Sequence, residues 1–187
     1  MKKLFSVFAV CFLAAAMSMN AAQRGKYIHL DASVNKNLKP QIAFCQDHKD
    51  GKDITTLLVK TVNPNAFYEF TDASRVLIRF ADGKAVRLNR VPGSKVVKNK
   101  NDEKLGRETI TKYWTETSYE VSQEVIDNLT KGVAIIKVRI VFKENEAKDY
   151  EIAEGYQERM AADLLKSYQE ATLKNQKSNN DLSDEDF

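Results

Sequence analysis

The segment from Arg75 to Val91 constrains the fold most, because only one pairing register keeps its apolar residues together. Val76, Ile78 and Phe80 alternate with Arg75, Leu77 and Arg79, and the alternation resumes at Val86 and Leu88 after Ala81-Asp82-Gly83. Period-two alternation marks a strand with one buried face. A two-residue Asp82-Gly83 loop sets Ile78 opposite Arg87 and mixes core with solvent. A three-residue Ala81-Asp82-Gly83 loop, with Gly83 left-handed, sets Ile78 opposite Val86 and Val76 opposite Leu88. The sequence therefore predicts the three-residue hairpin with a bulge at Gly83.

Similar alternation runs through residues 27 to 152. Ala134, Ile136, Val138, Ile140 and Phe142 share one predicted face, opposed by Lys137 and Arg139, and Glu144-Asn145-Glu146 turns the chain into a partner strand near Lys148 to Ile152. Gln41–Gln46, Ile54–Val62 and Glu108–Val121 are further predicted strands. The last is rich in Thr, Tyr and Trp, which suit a half-buried pleat. Tyr27–Asp31 and Ala66–Phe70 are weaker strand signals. Pro92 to Gly106 lacks periodicity and is predicted as a loop. Ser122 is a predicted N-cap for a short helix to Thr130, stopped at Gly132. A longer helix, from Glu154 to Asn175, presents Tyr156, Met160, Leu164 and Tyr168 at every fourth position. The expected architecture is α+β: an antiparallel sheet, curled or two-layered, with a C-terminal helix packed on it.

The N-terminus reads as an export signal. Lys2 and Lys3 precede the apolar run Leu4–Ala16, and small residues follow at Ser18, Ala21 and Ala22. Cleavage is expected after Ala22. Cys11 sits inside the apolar run after Val10, a poor match to a lipid-attachment site, so it belongs to the signal core. Cleavage leaves 165 of the 187 residues, a net charge lowered from +3 to +1, and Cys45 as the one thiol. A periplasmic or secreted chain with one cysteine has no internal disulfide and rests on its core. The expected organisation is a signal at residues 1–22, one domain over 23–177 and a disordered acidic tail over 178–187. No integral membrane segment is expected after cleavage.

Few residues invite catalysis. Cys45 and His48 lie three apart, but no second Cys/His pair completes a metal site, so no metal or cofactor is expected. The bland reading is a core cysteine followed by a hairpin turn at Asp50-Gly51. Lys95, Lys98, Lys100, Lys104 and Arg107 make the predicted loop basic. With Arg75, Arg79, Arg87 and Arg90 they suit an anionic glycan, a phospholipid surface or an acidic protein, or simply form a solvated face. Export, near-neutral charge and the absence of interleaved aromatics argue against nucleic acid, and none is expected as a partner.

Trp114, Tyr113 and Tyr119 are candidates for an aromatic platform. Tyr113 and Tyr119 share one strand face and Trp114 takes the other, so only one face can serve and the remaining ring packs in the core. Glu116 and Glu120 share Trp114's face and are the candidate acid–base pair of a hydrolase. The expected ligand-binding residues are Trp114, Tyr113, Tyr119, Arg79 and Arg87, and no catalytic residue is assigned.

The order Val76-Leu77-Ile78-Arg79-Phe80-Ala81-Asp82-Gly83, then Tyr119-Glu120-Val121-Ser122, then Lys131-Gly132-Val133 and Ile136-Lys137-Val138-Arg139-Ile140, resembles a pattern in small uncharacterised secreted proteins of Gram-negative gut-type bacteria. The resemblance implies a β-rich exported domain and carries over no activity. The expected function is a non-catalytic binding or interaction module for a protein or glycan. The alternatives are a carboxylate-dependent hydrolase of an extracellular glycan or peptide, and a periplasmic inhibitor or chaperone-like protein.

Overall fold

The computed structural model describes residues 22–30, 40–49, 51–105 and 108–180. The expected signal as far as Ala21, Cys11, Arg107 and residues 181–187 lie outside them. In chain order the elements are β1 (Gln23–Arg24), β2 (Ile28–His29), β3 (Gln41–Lys49), β4 (Lys52–Asn63), β5 (Arg75–Phe80), β6 (Ala85–Asn89), β7 (Val97–Leu105), β8 (Glu108–Glu120), α1 (Gln123–Thr130), β9 (Ile135–Lys143), β10 (Glu146–Glu151) and α2 (Gln157–Asn180). A 3-10 turn, Glu154–Tyr156, precedes α2.

The strands form two antiparallel sheets, giving the α+β architecture. The larger has the order β1-β3-β4-β8-β7, with β2 also on β3, and curls into a half-barrel. The smaller has the order β10-β9-β5-β6. The hairpin register is as the sequence predicts. Ile78 faces Val86, Val76 faces Leu88 and Gly83 adopts φ +87°. One contiguous core takes Ile42, Phe44, Leu57, Val59 and Tyr119 from the larger sheet. It takes Val76, Ile78, Phe80, Val138, Ile140 and Phe142 from the smaller one, with Val125 and Leu129 of α1 and Met160 and Leu164 of α2. Each sheet therefore buries one face and turns the other outward.

Several expectations are corrected. Residues 97–105 are a strand rather than a loop. As an edge strand β7 has both faces near solvent, so it needs no apolar period, and its lysines guard the open edge against further pairing. Ala66–Phe70 is not a strand; Tyr68 instead stacks on Phe142 at 4.1 Å. A register shift opposite Arg79 and Phe80 of β5 places an extra residue in β9 and brings Ile135, not Ile136, onto the fully buried face. Ser122 has the extended backbone of an N-cap but makes no capping side-chain bond, whereas Gly132 ends α1 at φ +70° as expected. Residues 178–180, expected in the disordered tail, continue α2.

Two local contacts fix how the pieces assemble. Arg90 leaves β6 and pairs with Tyr119 of β8, joining the sheets. Its Nε donates to Thr117 Oγ1 at 3.1 Å, its Nη1 contacts Asp72 at 2.5 Å, and its Nη2 donates to the Ser94 carbonyl. Arg90 is thus a buried tie rather than part of a solvated basic face. The second contact closes the opposite edge. Between β1 and β2 the chain leaves β3 partly unpaired. There Gly25 donates to the Phe44 carbonyl at 2.9 Å, and the Phe44 N–H donates to Ser167 Oγ of α2 at 3.1 Å.

A Cβ on Gly25 would lie 2.0 Å from the Ser167 carbonyl oxygen, so any side chain there must push α2 off the sheet. Gly25→Ala is therefore expected to cost about 1–3 kcal/mol by overpacking. Gly155→Ala, where a Cβ meets nothing within 4 Å, should change stability by less than about 0.5 kcal/mol. Denaturant unfolding of both variants checks this; equal effects would contradict the docking.

Candidate functional site: the concave face of the larger sheet

The outward face of the larger sheet carries Arg24, Cys45, Leu58, Lys60, Val62, Trp114 and Glu116, as the registers of its strands require. Arg24 and Glu116 are separated by three strand spacings, about 14 Å, and by four residues along the strands, about 13 Å in a flat sheet. Their charged atoms nevertheless meet at 3.2 Å. The sheet therefore curls toward this face and makes it concave.

The floor of the trough is apolar. Ala43, Cys45, Leu58 and Val62 are almost fully buried, although the residues of the main core lie on the other side of the sheet. Polar and aromatic groups lie above. Tyr27 Oη donates to Glu116 Oε2 at 2.6 Å, while Arg24 holds Glu116 Oε1. Burial, reinforced by the Glu116 hydrogen bond and charge, pushes the Tyr27 phenol well above its ordinary range. Tyr27 stays a neutral donor at any physiological pH. Lys60 lies between two rings, with Nζ 4.4 Å from the centre of Trp114 and 5.7 Å from that of Tyr27. Both distances suit cation–π attraction. On the β7 side, Trp114 walls a shallow cleft of about 440 Å³ with Lys100, Asn101, Asp102 and Lys112.

The predicted site residues are dispersed. Trp114 is half-buried in the trough. Tyr113 occupies the opposite strand face, edge-on to Phe67 at 5.0 Å. Tyr119 is fully buried, and burial raises its phenol, so its ring is core and offers no surface. Arg79 and Arg87 are exposed on the outer face of the smaller sheet. Sequence reasoning missed Arg24, Tyr27 and Lys60. Arg24 lies in a strand of only two residues and Tyr27 just before another, and nothing local marks them as partners of Glu116, 92 and 89 positions away.

Cys45 and His48 do not meet. They lie at positions of opposite parity on β3, and His48 pairs instead with Asp53 at 2.9 Å across the hairpin. Burial raises the Cys45 thiol, with Arg24 partly opposing. No group of three or more His, Cys, Asp or Glu side chains among the described residues is arranged to hold a metal ion. No helix among them is long and apolar enough to cross a membrane. Compared with known proteins, the chain matches no family model, no curated protein and no solved structure.

With 5% exposure and a raised thiol, Cys45 should react with a disulfide reagent at pH 7.5 at least about tenfold more slowly in the folded chain than in guanidinium. Equal rates in a stopped-flow thiol assay would show that the trough floor is open.

Proposed function

We propose that this chain is an exported, non-catalytic binding module that seats a sugar ring in the concave face, against Trp114. The export half rests on the N-terminal charge and apolar run. The binding half rests chiefly on one observation: a half-exposed indole, braced by Lys60, forms the wall of a cleft that Asn101 and Asp102 also line. An aromatic plane beside hydrogen-bonding groups suits a ring with an apolar face and a hydroxylated rim.

The geometry gives the hydrolase alternative little support. Both oxygens of Glu116 are engaged, one by Tyr27 and one by Arg24. Glu116 and Glu120 are four residues apart on one strand, about 13 Å, whereas paired glycosidase carboxylates stand roughly 5–9.5 Å apart. An edge-pairing chaperone is also less favoured, because β7 is an edge strand studded with lysines.

Trp114 is the chain's single tryptophan, so its emission reports this site directly. Titration with neutral cello-, chito-, malto- and manno-oligosaccharides should shift that emission for at least one series. Trp114→Ala, followed by calorimetry, should weaken the same ligand about tenfold or more. Release of shorter products from any of these sugars, lost in Glu116→Gln, would establish the hydrolase instead. No response in all four series would refute a sugar site.

A further inference from the structure

The outer face of the smaller sheet is paved with arginine. Across β6, β5, β9 and β10 the registers set Ala85, Arg79, Lys137 and Glu151 in one row, and Arg87, Leu77, Arg139 and Asp149 in the next. Asn89, Arg75, Val141 and Ala147 form a third. Lysines outnumber arginines 21 to 8 in the chain, yet this grid holds four arginines and one lysine. The planar guanidinium fork, rather than simple positive charge, is concentrated here.

The charges are unequally satisfied. Asp149 and Glu151 hold Lys137 at 3.1 and 2.7 Å, and Asp149 grips Arg139 with two bonds of 2.5 and 2.8 Å. Among the described residues no carboxylate pairs with Arg75, Arg79 or Arg87, and Arg87 Nε donates only to Asn89 at 3.0 Å. Arg79 also stands directly opposite Lys137, and like charges so placed destabilise a sheet. Arg75, Arg79 and Arg87 surround Leu77. A recess of about 210 Å³ opens there, floored by Leu77 and Ala85 and rimmed by Arg79, Lys137 and Arg139.

We propose that this face binds an acidic polysaccharide, with sugar rings laid over Leu77 and Ala85 and acid groups held by Arg79 and Arg87. Apolar floor and guanidinium rim match the two surfaces of such a chain, and forked donors grip carboxylate or sulfate bidentately. A lipid surface fits less well. The exposed large apolar residues among those described, Ile54, Val97 and Leu173, all lie off this face. A protein partner also fits less well, since none of the residues lining the recess is an aromatic anchor of the kind that centres protein interfaces. This inference stands apart from the sugar site at Trp114.

The test uses the signal-free chain on immobilised polygalacturonate and dextran sulfate, with neutral dextran as reference, at 50 and 200 mM NaCl. The wild type is expected to bind at least one of the two acidic polymers and to ignore dextran. Arg79→Gln combined with Arg87→Gln should weaken binding about tenfold or more, the loss of two charge-assisted contacts. Lys95→Gln combined with Lys98→Gln removes the same charge elsewhere and should change binding by less than about twofold. Arg79→Lys with Arg87→Lys keeps charge without the fork and should weaken binding by about threefold or more. All four positions are exposed, and an unchanged melting temperature confirms the fold of each variant. Absence of binding to both polymers, equal losses in the arginine and lysine pairs, or equal affinity for phosphatidylglycerol vesicles or polyglutamate would overturn the proposal.

Discussion

The molecule hangs on the seam at Arg90. Residues 75 to 89 belong to one sheet and residue 119 to the other, and Arg90 is where the chain passes between them. Its backbone pairs with Tyr119, and its guanidinium draws in Thr117, Asp72 and the Ser94 carbonyl. A buried arginine is tolerable when its charge is paired and its nitrogens are hydrogen-bonded, and these partners take one bond from each of its three nitrogens. With the sheets tied there, the apolar faces of both close on one core, and the docking of α2 at Gly25 and Ser167 closes the far edge.

That arrangement fixes which surfaces remain for function. The larger sheet curls away from the core, so its outward face becomes a trough lined by long polar side chains above a small apolar floor. The smaller sheet keeps its outward face as a grid of cations around Leu77. The two faces differ in kind: one is concave, aromatic and internally hydrogen-bonded, while the other is cationic, with three guanidinium groups that no carboxylate among the described residues pairs. Inside the trough Glu116 is an anchor, since it orients Tyr27 and Arg24 and both of its oxygens are already engaged.

How much of this the sequence disclosed depended on the range of the interaction. The β5–β6 hairpin was legible to the residue, because alternation on both sides of a glycine turn leaves one acceptable register. The two helices were legible from their apolar period, and the end of α1 from Gly132, whereas α2 runs past its expected end. The strand β7 was not, because an edge strand exposed on both faces has no apolar rhythm. The bulge in β9 was also hidden, since Ile135 and Ile136 are chemically alike and only pairing with β5 chooses between them. Trp114 was marked by its residue type. Tyr27 and Arg24 were not, because they reach Glu116 through sheet curvature, and Lys60 meets Trp114 only once β4 pairs with β8.

The proposed seat of the sugar is the concave face, anchored by Glu116 and walled by Trp114. Amide chemical-shift mapping with the neutral oligosaccharide that most perturbs Trp114 emission tests it most directly. The expected result is a cluster of shifted resonances from Lys112 to Glu116, Asn99 to Asp102 and Leu58 to Val62, with β9 and β10 unmoved. Shifts confined to the smaller sheet, or spread evenly over the chain, would contradict it.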